Sequence, residues 1–172
     1  HMAGVAAELA FEKIARIPTE PMRAMKAGRY AAPYIASHFP NNPLVIGISV
    51  SGTVTRTREA VQSFAKGGRP TVAITGNPES PLAKLADKVL TCNIPEFVFA
   101  PGVRSYHLSL MALYLMAIRF AEVKDLYYQD EAGAMRNELW AARYVIEEHI
   151  AALNDKSRDL VRALAPLNIY DL

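Results

Sequence analysis

The sequence predicts an α/β domain with a parallel sheet, and two patterns carry that reading. Leu44–Ile48 is an apolar run without alternation, as a strand covered on both faces requires; Thr71–Thr75 reads as a second buried strand and Lys88–Cys92 as a third. Helical segments with short links lie between them, giving strand–helix–strand–helix–strand and hence right-handed parallel crossovers.

Ahead of the first run, Ala3–Arg16 carries Val5, Leu9, Phe11 and Ile14 among alanines, a helical pattern ending before Pro18. Pro18–Met22 can be extended, but its prolines confine it to an edge strand. Gly28–Phe39 reads as a short helix ending at Pro40, and Asn41-Asn42-Pro43 as a turn. Arg58–Lys66 is helical through Ala60, Val61, Phe64 and Ala65, and stops at Gly67-Gly68. After Thr75, Gly76-Asn77-Pro78 turns into a short helix with Ser80 as N-cap and Pro81 at its first position, closed by Asp87. Arg104–Glu122 and Met135–Asn154 are long helices and Lys156–Ala165 is a third. Pro166–Leu172 reads as a final strand.

At 172 residues with 51% hydrophobic content, the chain is long enough for one domain with a core. A net charge of +2, without a Lys/Arg run or a strand of exposed aromatics, argues against a nucleic-acid partner. The single cysteine, Cys92, has no disulfide partner and no zinc-ligand spacing around it, so it reads as a packed thiol of a reducing compartment. Leu108–Ile118, the longest apolar stretch, is about half of the ~20 residues that a membrane span needs, so no membrane is expected. No export signal opens the chain and His1-Met2 reads as a cloning remnant, so a cytoplasmic location is expected.

Ligands of open parallel sheets bind beyond the carboxyl ends of the strands. The turn after the first strand, Ser49–Thr55, offers hydroxyls at Ser49, Ser51, Thr53, Thr55 and, just beyond, Thr57. Gly52 lets backbone approach closely, and a helix start follows whose free N–H groups and dipole favour a dianion. A helix cap needs one hydroxyl, so five crowded together favour a phosphomonoester site over capping. The Gly-x-x-x-x-Gly-Lys-Ser/Thr pattern of a nucleotide P-loop is absent. Thr75-Gly76-Asn77 fits a ligand contact or a plain turn equally. Beyond the third strand, Glu96 could act as a general base beside a carbonyl, or cap or pair with Arg104. His107 could open a sugar ring, or face the core of its helix. Glu12 and Lys13 read as a solvated pair.

Together these segments resemble the SIS (sugar isomerase) domain family. The carrying residues are Val45-Ile-Gly-Ile-Ser-Val-Ser-Gly52 with Thr57, Thr71–Thr75, Ser80-Pro-Leu-Ala-Lys-Leu-Ala-Asp87, and Val103-Arg-Ser-Tyr106 leading into an apolar helix. Phe11–Pro18 and Arg29-Tyr30 resemble the first of two SIS lobes in the glucosamine-6-phosphate synthase, deaminase and deglycase group. The resemblance covers roughly Gly4–Ala121. It implies a three-layer α-β-α fold with a flavodoxin-like sheet, whose domain spans residues 3–122 and lacks its usual first strand. A helical linker over 123–165 follows, then a strand over 166–172 that begins a second lobe or completes a sheet.

The family's phosphate loop falls on Ser49, Ser51 and Gly52, with Thr57 at the helix start. Val50 replaces the family's Gln, and Thr53-Val54 replace its Glu-Thr, so that one phosphate-binding hydroxyl is moved to Thr53 or Thr55, or lost. The resemblance implies isomerisation or amine release on hexose (amino-sugar) 6-phosphates through an enediol or enolamine, with no metal or redox cofactor. Glu96 and His107 are the candidate catalytic residues. In two-lobed members the acid/base groups come largely from the second lobe. The alternatives are a sugar-phosphate sensor without turnover and a structural lobe. Apolar surface on Arg104–Ala121 and around Trp140, Tyr144 and Ile146 predicts a homo-oligomer, a dimer in the first instance.

Overall fold

The computed structural model describes residues 1–34, 43–95 and 102–166, without the side chain of Ala151. Three parallel strands form the sheet: β1 (Val45–Ile48), β2 (Thr71–Thr75) and β3 (Lys88–Thr91), in the order β1-β2-β3. Val45 pairs with Thr71 in one ladder and Val72 with Lys88 in the other. Around the sheet lie α1 (Met2–Lys13), a short α2 (Ala24–Lys26) running into a π-turn over Ala27–Ala31, α3 (Thr55–Lys66) and α4 (Val103–Val123). These belong to one compact unit, His1–Tyr127; Tyr128–Leu172 form a second, which contains α5 (Gln129–Leu164).

Alternation along β2 sorts the layers, because successive side chains of a strand point to opposite faces. Ile74 packs with Ala3, Ala7 and Phe11 of α1 and Ala112, Leu113 and Ala117 of α4. Ala73 packs on the other side with Val61 of α3 and Leu82. The alanines let α1 and α4 approach closely, and Phe11 and Phe120 meet at 6.1 Å and 55°. Lys124 Nζ closes this layer by donating to the carbonyls of Ala15 and Arg16, 2.8 and 3.1 Å away, just past the end of α1.

β3 is clamped to the start of β2 by a reciprocal pair. Asp87 Oδ2 accepts both the N–H and the hydroxyl of Thr71 at 2.8 Å, and Asp87 donates its own N–H to Thr71 Oγ1 at 3.0 Å. These bonds, the hydroxyl first, hold the Asp87 carboxyl below the ordinary carboxylate range.

The three strands appear at the predicted places; of the two expected to be buried, β2 is largely so and β1 only in part. β3 is exposed along its length, with Val89 and Leu90 at 40% and 37%, because neither core cluster of the described residues includes it. Pro18–Met22 forms neither helix nor strand and pairs with no strand among the described residues: Pro18 and Pro21 have no N–H to give to a ladder. The helix expected from Arg58 begins three residues earlier, at Thr55. The short helix after Pro81 is a single 3₁₀ turn, Ala83–Leu85, and Asp87 clamps Thr71 instead of closing a helix. The two helices expected over 135–154 and 156–165 are the single α5, since Asn154-Asp155-Lys156 contains neither Pro nor Gly and polar residues cost a helix only tenths of a kcal/mol each. The strand expected over 166–172 and the end of the helix expected over Gly28–Phe39 lie outside the described residues. No helix among those residues is long and apolar enough to cross a membrane.

Candidate functional site

The carboxyl ends of β1 and β2 are locked together. Ser49 donates its N–H to the Ile74 carbonyl at 3.0 Å, extending the ladder one residue past β1. Val50 O then accepts the Gly76 N–H at 2.8 Å and the Thr75 hydroxyl at 3.2 Å. Gly52 sits at φ +66°, the left-handed region that glycine enters without steric cost. Its N–H reaches both the Ser49 carbonyl (3.1 Å) and Ser49 Oγ (3.2 Å), and its carbonyl accepts the Leu82 N–H at 3.0 Å. A Cβ at Gly52 would stand 2.0 Å from Ser80 Oγ and 3.0 Å from Thr75 Oγ1. The turn therefore has one residue type available at its centre, and its backbone position is fixed from β2 and the segment after it.

Within this frame the hydroxyls separate by role. Ser49 is buried, and its Oγ serves the turn by accepting from Gly52. Ser51 and Thr53 are exposed, their hydroxyls 2.8 Å apart, and Ser51 Oγ also accepts the Thr53 N–H at 3.3 Å. Thr55 and Thr57 are not in the turn but in the first turn of α3, Thr55 exposed and Thr57 half-buried.

None of these hydroxyls caps α3. The N-cap is Val54, there is no side-chain cap bond, and the first turn holds no acidic residue. The positive end of the helix dipole is thus unneutralised by side chains, beside two exposed hydroxyls on a rigid turn. That arrangement suits an oxyanion.

Below the turn lies a recess of about 10 Å³, room for one water at most, bounded by Val50, Thr75, Gly76 and Cys92 with Ser105 and Ser109 of α4. A molecule larger than a water cannot enter it. Burial pushes the Cys92 thiol up, away from the reactive thiolate, in keeping with a packed role. The second strand end, Thr75-Gly76-Asn77, uses its polar groups on itself: Asn77 donates its N–H to Thr75 Oγ1, and Asn77 Oδ1 accepts the Glu79 N–H at 2.9 Å.

His107 lies in the first turns of α4, exposed, with Nδ1 2.8 Å from the Val103 carbonyl of its own helix and its ring edge-on to Tyr106. It does not border the recess. Glu96 lies outside the described residues. Glu12 and Lys13 form part of the exposed side of α1. Sequence reasoning passed over Ser80 except as a helix cap. It does accept the Ala83 N–H at 3.3 Å, but it also walls the space beside Gly52, a contact across 28 positions with no local signal.

Comparison with known proteins places this geometry. The SIS domain model matches residues 1–119, which include all three strands and the Ser49–Thr55 turn. The chain is 32% identical over 138 residues to the glutamine–fructose-6-phosphate aminotransferase (isomerizing) of Clostridium tetani, covering 80% of this chain but 22% of that protein. Among solved structures, the C-terminal domain of glucosamine-fructose-6-phosphate aminotransferase from Francisella tularensis shares the fold, with TM-score 0.76 and 19% identity over 94% of this chain and 44% of that one. So does the Vibrio vulnificus NanR protein, solved in complex with ManNAc-6P, with TM-score 0.53 and 22% identity over 84% of this chain and 52% of that one. The chain spans about a quarter of the length of the curated relatives it matches. With the family model matching well over half of its residues, the chain belongs to the SIS domain family.

Proposed function

We propose that this chain is a phosphosugar-binding lobe whose parent protein acts on hexose or amino-sugar 6-phosphates, by aldose–ketose isomerisation or amine release. One observation carries the reading: the exposed Ser51–Thr53 hydroxyl pair stands on a backbone locked by β2, beside an α3 start that no side chain caps. The hydroxyls of Ser51, Thr53 and Thr55 and the first N–H groups of α3 hold the phosphate, while Ser49 and Gly52 keep the turn in shape. The membership in the SIS family and the ManNAc-6P bound to a structural neighbour support a sugar phosphate as the ligand class.

By this reading the lobe alone binds its ligand weakly and turns over little or nothing. No carboxylate or imidazole among the described residues borders the recess beneath the turn, and His107 is tied to its own helix. Residues 123–165 serve as a helical linker from this lobe, and proton-transfer groups come from elsewhere in the parent protein or from Glu96. The same observations favour a second reading, a lobe that senses a sugar phosphate without turnover.

Isothermal titration with fructose 6-phosphate and glucosamine 6-phosphate tests the proposal. A hydrogen bond to a charged group is worth about 1.5–3 kcal/mol, so Ser51→Ala should weaken binding by about tenfold to about a hundredfold. Affinity unchanged in that variant would remove the turn from the site. Robust isomerase activity from this chain alone would overturn the statement about turnover.

A further inference from the structure

Within the second unit, α5 carries an apolar stripe with the period of helix pairing. Leu139, Ile146, Ile150, Leu153, Leu160 and Leu164 fall on the a and d positions of one heptad repeat, over about 38 Å of helix. From Ile146 onward these side chains are 37–65% exposed. The opposite side of the helix holds Glu148, Asp155 and Arg162, again at heptad spacing. A stripe that keeps a period of 3.5 residues suits a second helix, whose side chains enter the gaps between successive a and d residues.

The a positions select the partner and its direction. With Leu139, Ile146, Leu153 and Leu160 at d, they hold Arg143, Ile150, Ser157 and Leu164. Two parallel copies would set Arg143 against itself, like charge on like charge in a closed seam. Two antiparallel copies set Arg143 opposite Leu160, Ile146 opposite Ser157, Ile150 opposite Leu153 and Leu139 opposite Leu164. Each of these layers then occurs twice about a two-fold axis, so the stripe is complementary to itself. Arg143 suits such a layer: its guanidinium lies over the rings of Trp140 and Tyr144, 4.1 and 4.3 Å from their centroids, and its alkyl stem can meet a leucine. The a, d, e and g positions take four-sevenths of a helix about 11 Å across, so the pair buries about 750 Å² per copy, close to a standard stable interface. We propose that the stripe on α5 is an interface for the α5 of a second copy of this chain, the two helices running antiparallel.

Sedimentation equilibrium of the 172-residue chain tests this. Interfaces of this area range from micromolar to picomolar affinity, so a dimer is expected at about 50 µM chain. Leu153→Glu sets a carboxylate without a partner against Ile150 and should weaken the dimer at least about a hundredfold. Leu160→Glu faces Arg143 in the antiparallel pair and should weaken it less than about tenfold; in a parallel pair it would face its own copy. Adding Arg143→Glu to Leu160→Glu should bring the loss to at least about a hundredfold. All three positions are exposed in the single chain, so far-UV circular dichroism should stay unchanged and separate lost pairing from lost helix. Should Leu153→Glu melt α5, the comparison of Leu160→Glu with its Arg143→Glu double variant remains decisive. A monomer at that concentration would overturn the proposal and leave the stripe to another part of a longer parent protein. Normal pairing by Leu153→Glu, or Leu160→Glu no milder than its double variant, would overturn it as well.

Discussion

The turn after β1 and the start of α4 both carry polar side chains at the carboxyl edge of the sheet, yet they are held in opposite ways. The first is fixed by partners far along the chain: Ile74 and Gly76 on one side, Ser80 and Leu82 on the other. The second satisfies itself. Ser105 Oγ donates to the Gly102 carbonyl, Ser109 Oγ to the Ser105 carbonyl, and His107 Nδ1 meets the Val103 carbonyl. Long-range anchoring presents Ser51 and Thr53 outward on a backbone that cannot relax. Local bonding leaves the α4 side chains near their own helix, with nothing to aim them. Preorganisation of the first kind is what a binding turn needs, since donors that are already in place lose less freedom on binding.

The largest expected effect breaks the anchoring itself. Gly52→Ala forces a side chain into the left-handed region and into Ser80 at once, and should destabilise the fold by roughly 2–5 kcal/mol in urea unfolding. Combining it with Ser80→Gly sharpens the point. The double variant should be more stable than the sum of the two losses by about 1–2 kcal/mol, because the steric part is relieved while the backbone strain persists. Strict additivity would mean that Ser80 does not constrain the turn.

The clamp that orders β2 against β3 comes next, and it is sensitive to pH. The folded-state pKa of Asp87 lies below its unfolded value, so the clamp contributes its stability above the unfolded titration, near pH 3.9, and loses it as pH falls through the depressed folded value. Thermal melts should therefore show a stability loss below about pH 4. In Asp87→Asn the melting temperature should be lower at pH 7 and the acid limb shallower. An acid limb identical in the two proteins would assign the loss to other carboxylates.

How much of this was legible in the sequence follows the same division between local and distant causes. The strands were readable because unbroken apolar runs such as Val45-Ile46-Gly47-Ile48 act locally, and the hydroxyl-rich turn was readable as a composition. The exposure of β3 was not, because cover comes from other elements. The start of α3 was misplaced because Val54 gives no cap signal, so Thr55 seemed part of the turn. Of the hydroxyls, pattern alone could not separate Ser49, which faces inward, from Ser51 and Thr53, which face solvent. The clamp of Asp87 on Thr71 and the fit of Gly52 against Ser80 join residues 16 and 28 positions apart, where no periodicity reaches.

A smaller effect on stability, with a large one on binding, should mark the exposed hydroxyls. Ser51→Ala and Thr53→Ala remove one exposed pair at the surface, so each should change stability by no more than about 0.5 kcal/mol while weakening phosphosugar binding. Thr53→Val, which keeps the shape but not the hydroxyl, should lose affinity as Thr53→Ala does. A variant that binds normally would show that its hydroxyl only braces the other.

The smallest effect is expected at His107. Its ring is exposed and its one bond is to the carbonyl four residues back, which already belongs to the helix ladder, so His107→Ala should move stability by less than about 0.5 kcal/mol. Since the ring does not border the recess, phosphosugar affinity measured by titration should stay within twofold. Its pH dependence between 5 and 8 should also match that of the parent chain, because a histidine touching the phosphate would strengthen binding when protonated. A tenfold loss of affinity, or a pH dependence that disappears with the imidazole, would reverse the comparison. The start of α4 would then be part of the phosphate site, drawn there only when ligand arrives.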